Sequence, residues 1–273
     1  MESSKVIFKS FSSGSCGNCY FLGVGDDARS VQGILIDAGV SLKRLKKELA
    51  SENLSFDNVA AVLVTHDHMD HIRSLGSYCK HLQKPVWATK ELHNALSRHI
   101  ITHEYIGGCR RVFEDGKWND IIEGAISAKY FIVPHDASQT AGFAICIGGH
   151  KYVHITDCGR MTQEAITFCA QADTVVLESN YDREMLIHGK YPEELKQRIL
   201  KGTGHMSNDE CAEAVKAFVH DGLNNLFLCH LSENNNTPEL AYNCTKKVLE
   251  STGHTHIRLQ TLPRLEPSSL IYL

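Results

Sequence analysis

The sequence predicts an α/β fold built as a four-layered αββα sandwich, two sheets face to face with helices outside, in one domain over residues 1–273. Three observations lead there. Short β-branched and aromatic runs alternate with helical patterns in each of two halves of the chain. The 273 residues, 42% hydrophobic, suffice to bury about three quarters of the unfolded surface. Apolar runs such as 59–64 are continuous rather than alternating, which suits strands covered on both faces.

Residues 6–11 are predicted as the first strand. A small-residue loop follows, Ser12-Ser-Gly-Ser-Cys-Gly-Asn18, then a second strand over 19–24 closed by Gly25-Asp-Asp. A third strand, 31–36, runs into Asp37-Ala-Gly39. Ser41 is placed to cap a helix through about Ser51, with Leu42, Leu45 and Leu49 on one face and Lys43 to Lys47 on a solvated one. Strand 59–64 opens a helix predicted over 70–82. Strand 85–88, helix 90–97 and strand 126–133 complete the first half.

In the second half Gly148-Gly149-His150 joins strands at 141–147 and 152–156 as a hairpin. Helix 161–171, strand 174–177 and a helix over 192–200, with Pro192 in its first turn, come next. Ser207-Asn-Asp-Glu210 is a capping box that opens a helix to about His220. Strand 226–229 and helix 238–249 end the pattern.

Charge is nearly balanced, 28 basic against 32 acidic residues. A nucleic-acid binder relying on a broad basic face is disfavoured, whereas an enzyme drawing positive charge from bound metal is compatible. The 10 cysteines are dispersed and read as buried thiols, Cys16 and Cys19 included. No apolar run approaches the ~18 residues of a membrane span, and the N-terminal stretch lacks a signal-peptide pattern. The expectation is a cytoplasmic chain with no membrane partner. The 16 histidines are the compositional outlier.

Their position decides which matter. Thr65-His66-Asp67-His68-Met69-Asp70-His71 falls directly after strand 59–64. His66 and His68, two apart on a turn, can reach one cation; Asp70 and His71 can reach a second. Imidazole with carboxylate suits zinc, manganese or iron better than calcium or magnesium. A solvated polar turn with three chance histidines is the bland alternative, and such crowding at a buried strand end argues against it.

The segment resembles the signature of the metallo-β-lactamase superfamily. The resemblance implies three further ligands in order, each just past a predicted strand: His135 in Val133-Pro-His-Asp136, Asp157 in His154-Ile-Thr-Asp-Cys-Gly159, and His230 in Cys229-His-Leu-Ser232. It implies one metal on His66, His68 and His135, a second on Asp70, His71 and His230, and Asp157 bridging. Lactam-hydrolysing relatives usually carry cysteine at the bridge. Cys158 is adjacent, but shifting by one residue would leave Asp157 without its role.

Further segments resemble the YycJ/WalJ/VicX-like subfamily, relatives of RNase Z. They are Phe11-Ser-Ser-Gly-Ser-Cys-Gly-Asn-Cys19, Leu177-Glu-Ser-Asn-Tyr-Asp182, Gly189-Lys-Tyr-Pro192, Gly204-His-Met-Ser-Asn208 and Cys229-His-Leu-Ser-Glu-Asn-Asn235. Met206 stands where leucine is expected, a volume-conserving swap. This resemblance implies a metal-dependent nuclease, a 5′-to-3′ exonuclease on DNA, in which two cations ~3.5–4 Å apart activate a hydroxide and clamp the phosphoryl group.

Catalytic roles then fall to Asp70, Asp157 and His205. By resemblance to RNase Z, His205 is the proton donor to the leaving oxygen; a hydrogen bond behind a ligand is its alternative. Substrate contacts are expected from Ser15 and Asn18 in the 12–18 loop, and from Asn180, Tyr181 and Asn208. Glu178 follows a strand end on the same face, with its role open. Asp67 could orient a histidine or stay in solvent, and Asp136 and Thr156, beside ligands, are candidates for fixing them. His81, His93, His99, His103, His220, His254 and His256 receive no role. Two rival functions stay open: a small-molecule phosphodiesterase or thioester hydrolase of the same fold, and a non-hydrolytic metal-binding regulatory or redox protein. A homo-oligomer is allowed.

Overall fold

The computed structural model describes residues 5–273; residues 1–4, part of the N-terminal stretch weighed above as a leader, lie outside the described residues. The first sheet begins with β1 (Lys5–Gly14), β2 (Gly17–Gly25) and β3 (Gln32–Ile36), which are antiparallel neighbours. It continues with β4 (Val59–Leu63), β5 (Val86–Ala88) and β6 (Arg110–Val112), added in parallel.

The second sheet starts antiparallel, with β7 (Asn119–Ile122), β8 (Ile126–Val133), β9 (Thr140–Ile147) and β10 (His150–Ile155). Then β11 (Thr174–Glu178), β12 (Asn225–Cys229) and β13 (Arg258–Thr261) extend it in parallel. The last strand, β14 (Ile271–Tyr272), returns to the first sheet beside β1.

Helices cover both outer faces. On the first sheet lie α1 (Leu42–Ala50), α2 (Met69–Ile72), α3 (Leu75–Leu82), α4 (Lys90–Leu96) and α5 (Ile106–Cys109). The second half carries α6 (Gln163–Cys169), α7 (Arg183–His188), α8 (Glu193–Arg198), α9 (Asn208–Phe218) and α10 (Pro238–Ser251).

The strand pleat sorts side chains into layers. In β4, Val59 and Val62 pack outward with Leu45, Leu49 and Tyr78. Ala61 and Leu63 point inward to Phe8, Phe143 and Phe227 between the sheets. In β11 and β12, Val175, Leu177, Leu226 and Leu228 face Val215 and Phe218 of α9. Val176 and Phe227 face the inter-sheet core. The predicted αββα layering is therefore what the chain forms, and its continuous apolar strands are those with helix on one side and sheet on the other.

Local departures have physical reasons. The expected 12–18 loop is mostly strand: Ser12 pairs with Cys19, Ser13 with Asn18 and Gly14 with Gly17, which leaves a two-residue turn at Ser15-Cys16. Cys16 is exposed at that turn rather than buried, and Cys146 and Cys244 are half-buried. The expected helix over 70–82 is two helices. The Ser74 N–H donates to the Ala38 carbonyl (2.9 Å) instead of continuing the helix ladder. A Cβ at Gly39 would sit 1.9 Å from the Asp70 carbonyl oxygen, so only glycine lets the β3 loop press on α2.

Candidate metal centre

The parallel strands of both sheets end at one edge of the sandwich, and the chemistry-bearing residues follow those ends. His66 comes after β4, Asp70 and His71 lie on α2, His135 follows β8, Asp157 follows β10, and His230 follows β12. Asp37, Asp157 and His230 hold left-handed backbone (φ 62°, 50° and 53°). Such conformations are uncommon outside glycine and cluster where surrounding structure enforces them.

The structure brings the seven implied ligands together. Potential ligand atoms of His66, His68 and His135 lie within 4.8 Å of one another, as do those of Asp70, His71 and His230, and those of His66, His71 and Asp157. Asp157 Oδ2 is 2.8 Å from His71 Nε2 and 3.9 Å from His66 Nε2, so one oxygen faces both histidine groups. Asp70 Oδ2 is 3.5 Å from His71 Nε2 and 3.4 Å from His230 Nε2. His135 Nε2 is 3.3 Å from His68 Nδ1.

Each imidazole is pinned at its other nitrogen, which selects the nitrogen turned inward. The His71 Nδ1–H donates to Asp37 Oδ2 at 2.7 Å, and the His135 Nδ1–H donates to the Gly204 carbonyl at 2.5 Å. The Thr65 hydroxyl donates to Asp37 Oδ2 (2.8 Å), so at 3.0 Å the same oxygen accepts from His66 Nδ1–H. That leaves the His66 Nε2 lone pair free. This atom is buried and has no hydrogen-bond partner among the described residues. A buried polar atom is normally paired, and an orphaned imidazole nitrogen beside a carboxylate fits a divalent cation.

The electrostatics agree with a cation-receiving site. Burial pushes His66 well below the usual imidazole range, which keeps it neutral and able to donate its lone pair. Burial works the same way on His71, but Asp157, Asp37 and Asp70 outweigh it and hold that ring well above its ordinary value. Burial would raise Asp157; His230 and His71 override it and keep the carboxylate ionised.

The other expected residues divide. Ser15, Asn180, Tyr181 and His205 line a cavity of about 230 Å³ over the ligand cluster. Asn18 is buried beneath the site instead of lining the cavity: its Nδ2 donates to Asp70 Oδ2 (3.1 Å) and lies 2.9 Å from His71 Nε2. Asn208 lies below the site, joining the Ser179 hydroxyl (2.7 Å) to Asn236. Thr156 donates to Asp157 Oδ2 at 3.2 Å. Asp67 turns away and accepts from the Ser138 N–H and hydroxyl, tying the ligand turn to the loop after His135. The Cys158 thiol, which burial pushes far above its usual range, is directed at the Arg160 carbonyl rather than at the histidines.

Two carboxylates carry more than the sequence indicates. Asp37 holds His71, Thr65 Oγ1 and the Thr65 N–H (2.8 Å) with one side chain. Glu178, fully buried, accepts from the Cys158 and Met206 N–H groups (both 3.0 Å), from His205 Nδ1 (2.7 Å) and from His230 Nδ1 (3.2 Å). It is a support, not a substrate group. Each sits at the end of an apolar strand, which is the one sequence signal for either.

Residues 32–230 match the Beta-lactamase superfamily domain. The chain is 34% identical over 246 residues to exodeoxyribonuclease YycJ of Bacillus anthracis, covering 90% of each. It is 32% identical over 230 residues to exodeoxyribonuclease WalJ of Streptococcus pneumoniae serotype 2, covering 84% of this chain and 83% of that one. Among solved structures, the metallo-β-lactamase fold protein YhfI of Bacillus subtilis superposes with a TM-score of 0.69 at 16% identity, covering 98% of this chain and all of that one. The chain therefore belongs to the β-lactamase superfamily, as a metal-dependent hydrolase of the metallo-β-lactamase fold in the branch that holds YycJ and WalJ.

Proposed function

We propose that this chain is a DNA exonuclease, a single catalytic domain over residues 1–273 that works in the cytoplasm and digests in the 5′-to-3′ direction. Two divalent cations, zinc or manganese, with iron also suited to the ligand types, would be held by His66, His68 and His135 and by Asp70, His71 and His230, with Asp157 serving both. The observation that carries this reading is the buried, unpartnered His66 Nε2 facing the Asp157 carboxylate across 3.9 Å. When bound, the cations supply a nucleophilic hydroxide near neutral pH and offset the phosphate charge.

The chain's own residues do the rest. Asp157, fixed by Thr156, presents one oxygen to both halves of the site. Glu178 takes the His205 Nδ1 side, which leaves Nε2 toward the cavity, where it donates a proton to the departing sugar oxygen. Asn180 Nδ2 donates to the His230 carbonyl (2.7 Å) and holds the cavity wall beside it. DNA is favoured over a small phosphodiester or thioester because both curated relatives named above are exodeoxyribonucleases matched over at least four fifths of this chain.

The test is metal analysis of the purified protein, then turnover of 5′-phosphorylated DNA, RNA and a bis-aryl phosphate with zinc and with manganese. DNA turnover that releases nucleotides from the 5′ end is expected. Turnover of the aryl ester alone would move the assignment to a small-molecule phosphodiesterase, and none with either metal to a non-hydrolytic metal protein.

A further inference from the structure

The cavity over the ligand cluster has two unlike walls. One is the polar ligand face, where Asp136 Oδ1 stands 3.4 Å from His135 Nε2 and 4.0 Å from His68 Nε2. The other is built by α8 and its flanks, from Tyr191, Leu195, Arg198 and Ile199. Leu195, Arg198 and Ile199 are spaced i, i+3, i+4, so a single helix face presents two apolar side chains and one guanidinium. Arg198 is the one lysine or arginine among the described residues lining the cavity. Its side chain is 60% exposed, and its guanidinium is paired with the Asp136 carboxylate.

This pair is oddly placed for a structural tie. An ion pair whose guanidinium stands in solvent contributes little to stability, although the Asp136 side chain itself is half-buried. Here it joins a helix to the loop carrying His135, at the point where a polyanion would have to enter. An incoming phosphate meets the negative charge of Asp136 and the positive fork of Arg198 together. The guanidinium accepts a carboxylate or a phosphate in the same two-point geometry, so one anion can replace the other without rearranging the helix.

We propose that Arg198 is the residue that binds a substrate phosphate, and that Asp136 occupies its guanidinium in the resting enzyme and is displaced when a DNA end enters. Leu195, Ile199 and Tyr191 then pack against the base attached to that phosphate. A cavity of about 230 Å³ is below the ~300–1,000 Å³ of sites for drug-sized ligands, so it has room for one terminal nucleotide at a time. The proposal rests on the nuclease reading above and adds to it a residue that recognises a substrate phosphate.

The experiment uses the metal-loaded full chain and a 5′-phosphorylated oligonucleotide, both single-stranded and as a duplex, with metal content and melting temperature checked for every variant. Arg198→Ala is expected to raise KM about 10- to 100-fold, with a smaller change in kcat. The salt dependence of log KM should lose a slope of about 0.7 on the single strand or about 0.9 on the duplex, the share of one phosphate. Arg198→Lys should keep that slope and recover part of the KM loss. Asp136→Asn should lower KM, because the competing carboxylate is gone. Opposite signs for Arg198→Ala and Asp136→Asn support displacement, since a tie that merely braces the loop would make the two variants fail alike. Wild-type turnover of DNA with KM and salt slope unchanged in Arg198→Ala overturns the assignment and leaves the nuclease reading standing. Absence of wild-type turnover on any oligonucleotide overturns both.

Discussion

Glu178 Oε1 lies 2.7 Å from His205 Nδ1 and 3.2 Å from His230 Nδ1, so one buried carboxylate sets both the expected proton donor and an implied metal ligand. Its second oxygen accepts two backbone N–H groups, from Cys158 and Met206. Burial alone would raise the Glu178 carboxyl; His205 and His230 outweigh it and keep it ionised. A buried charge held by four donors is costly to leave half-paired.

Glu178→Gln should fold but lose about 10- to 100-fold in activity, because an amide cannot accept from both rings and both N–H groups. Glu178→Ala should lose about 3–5 kcal/mol of stability as well, measured by urea unfolding. A fully active Glu178→Gln enzyme would remove Glu178 from the account of how the rings are oriented.

His205→Ala should retain its metals and lose ~10²–10⁴-fold on an oligonucleotide. The loss should shrink on a substrate with a nitrophenolate leaving group, which departs without protonation. Equal losses on both would reject proton donation and leave His205 as a positioning group on Glu178.

Asp37→Ala should weaken metal affinity by about 10- to 100-fold while the α1 face of the first sheet stays folded. Asp37 touches no substrate; it holds the His71 ring and the Thr65 turn. Competition against a chelator measures this directly. Unchanged affinity would mean that His71 is positioned by the backbone alone.

Much of the fold is legible because the strands are unusually plain. Runs such as Val59-Ala-Ala-Val-Leu and Thr174-Val-Val-Leu carry no turn residues and must be covered on both faces. The ligand positions are legible for a related reason: polar residues at the exact end of such a run have nowhere to go but the sheet edge. What escapes the sequence depends on distant partners. Asp37 works through Thr65, 28 positions away, and Glu178 through His230, 52 away. Asp67 bonds Ser138, 71 positions on. The strand ends place Asp37 and Glu178 at the sheet edge, but nothing local names the groups they hold, and nothing local marks Asp67 at all.

Asn18 lies buried beneath the site, and not on an open loop, because Ser12–Gly14 has turn composition yet pairs as strand. The break between α2 and α3 is set by the Ala38 carbonyl, outside any helical pattern. The short strands β6, β7, β13 and β14 are missed because two to four residues cannot show a period, and β6, Arg110-Arg-Val112, is wholly exposed.

The central claim is a two-cation site bridged by Asp157, and metal stoichiometry tests it most directly. Elemental analysis of the wild-type protein, saturated with zinc or manganese and desalted, should give two equivalents per chain. Asp157→Ala should fall below two, keep its helical and strand content by circular dichroism, and lose all activity. At most one equivalent in the wild type with both metals, or an active Asp157→Ala enzyme, would contradict the account.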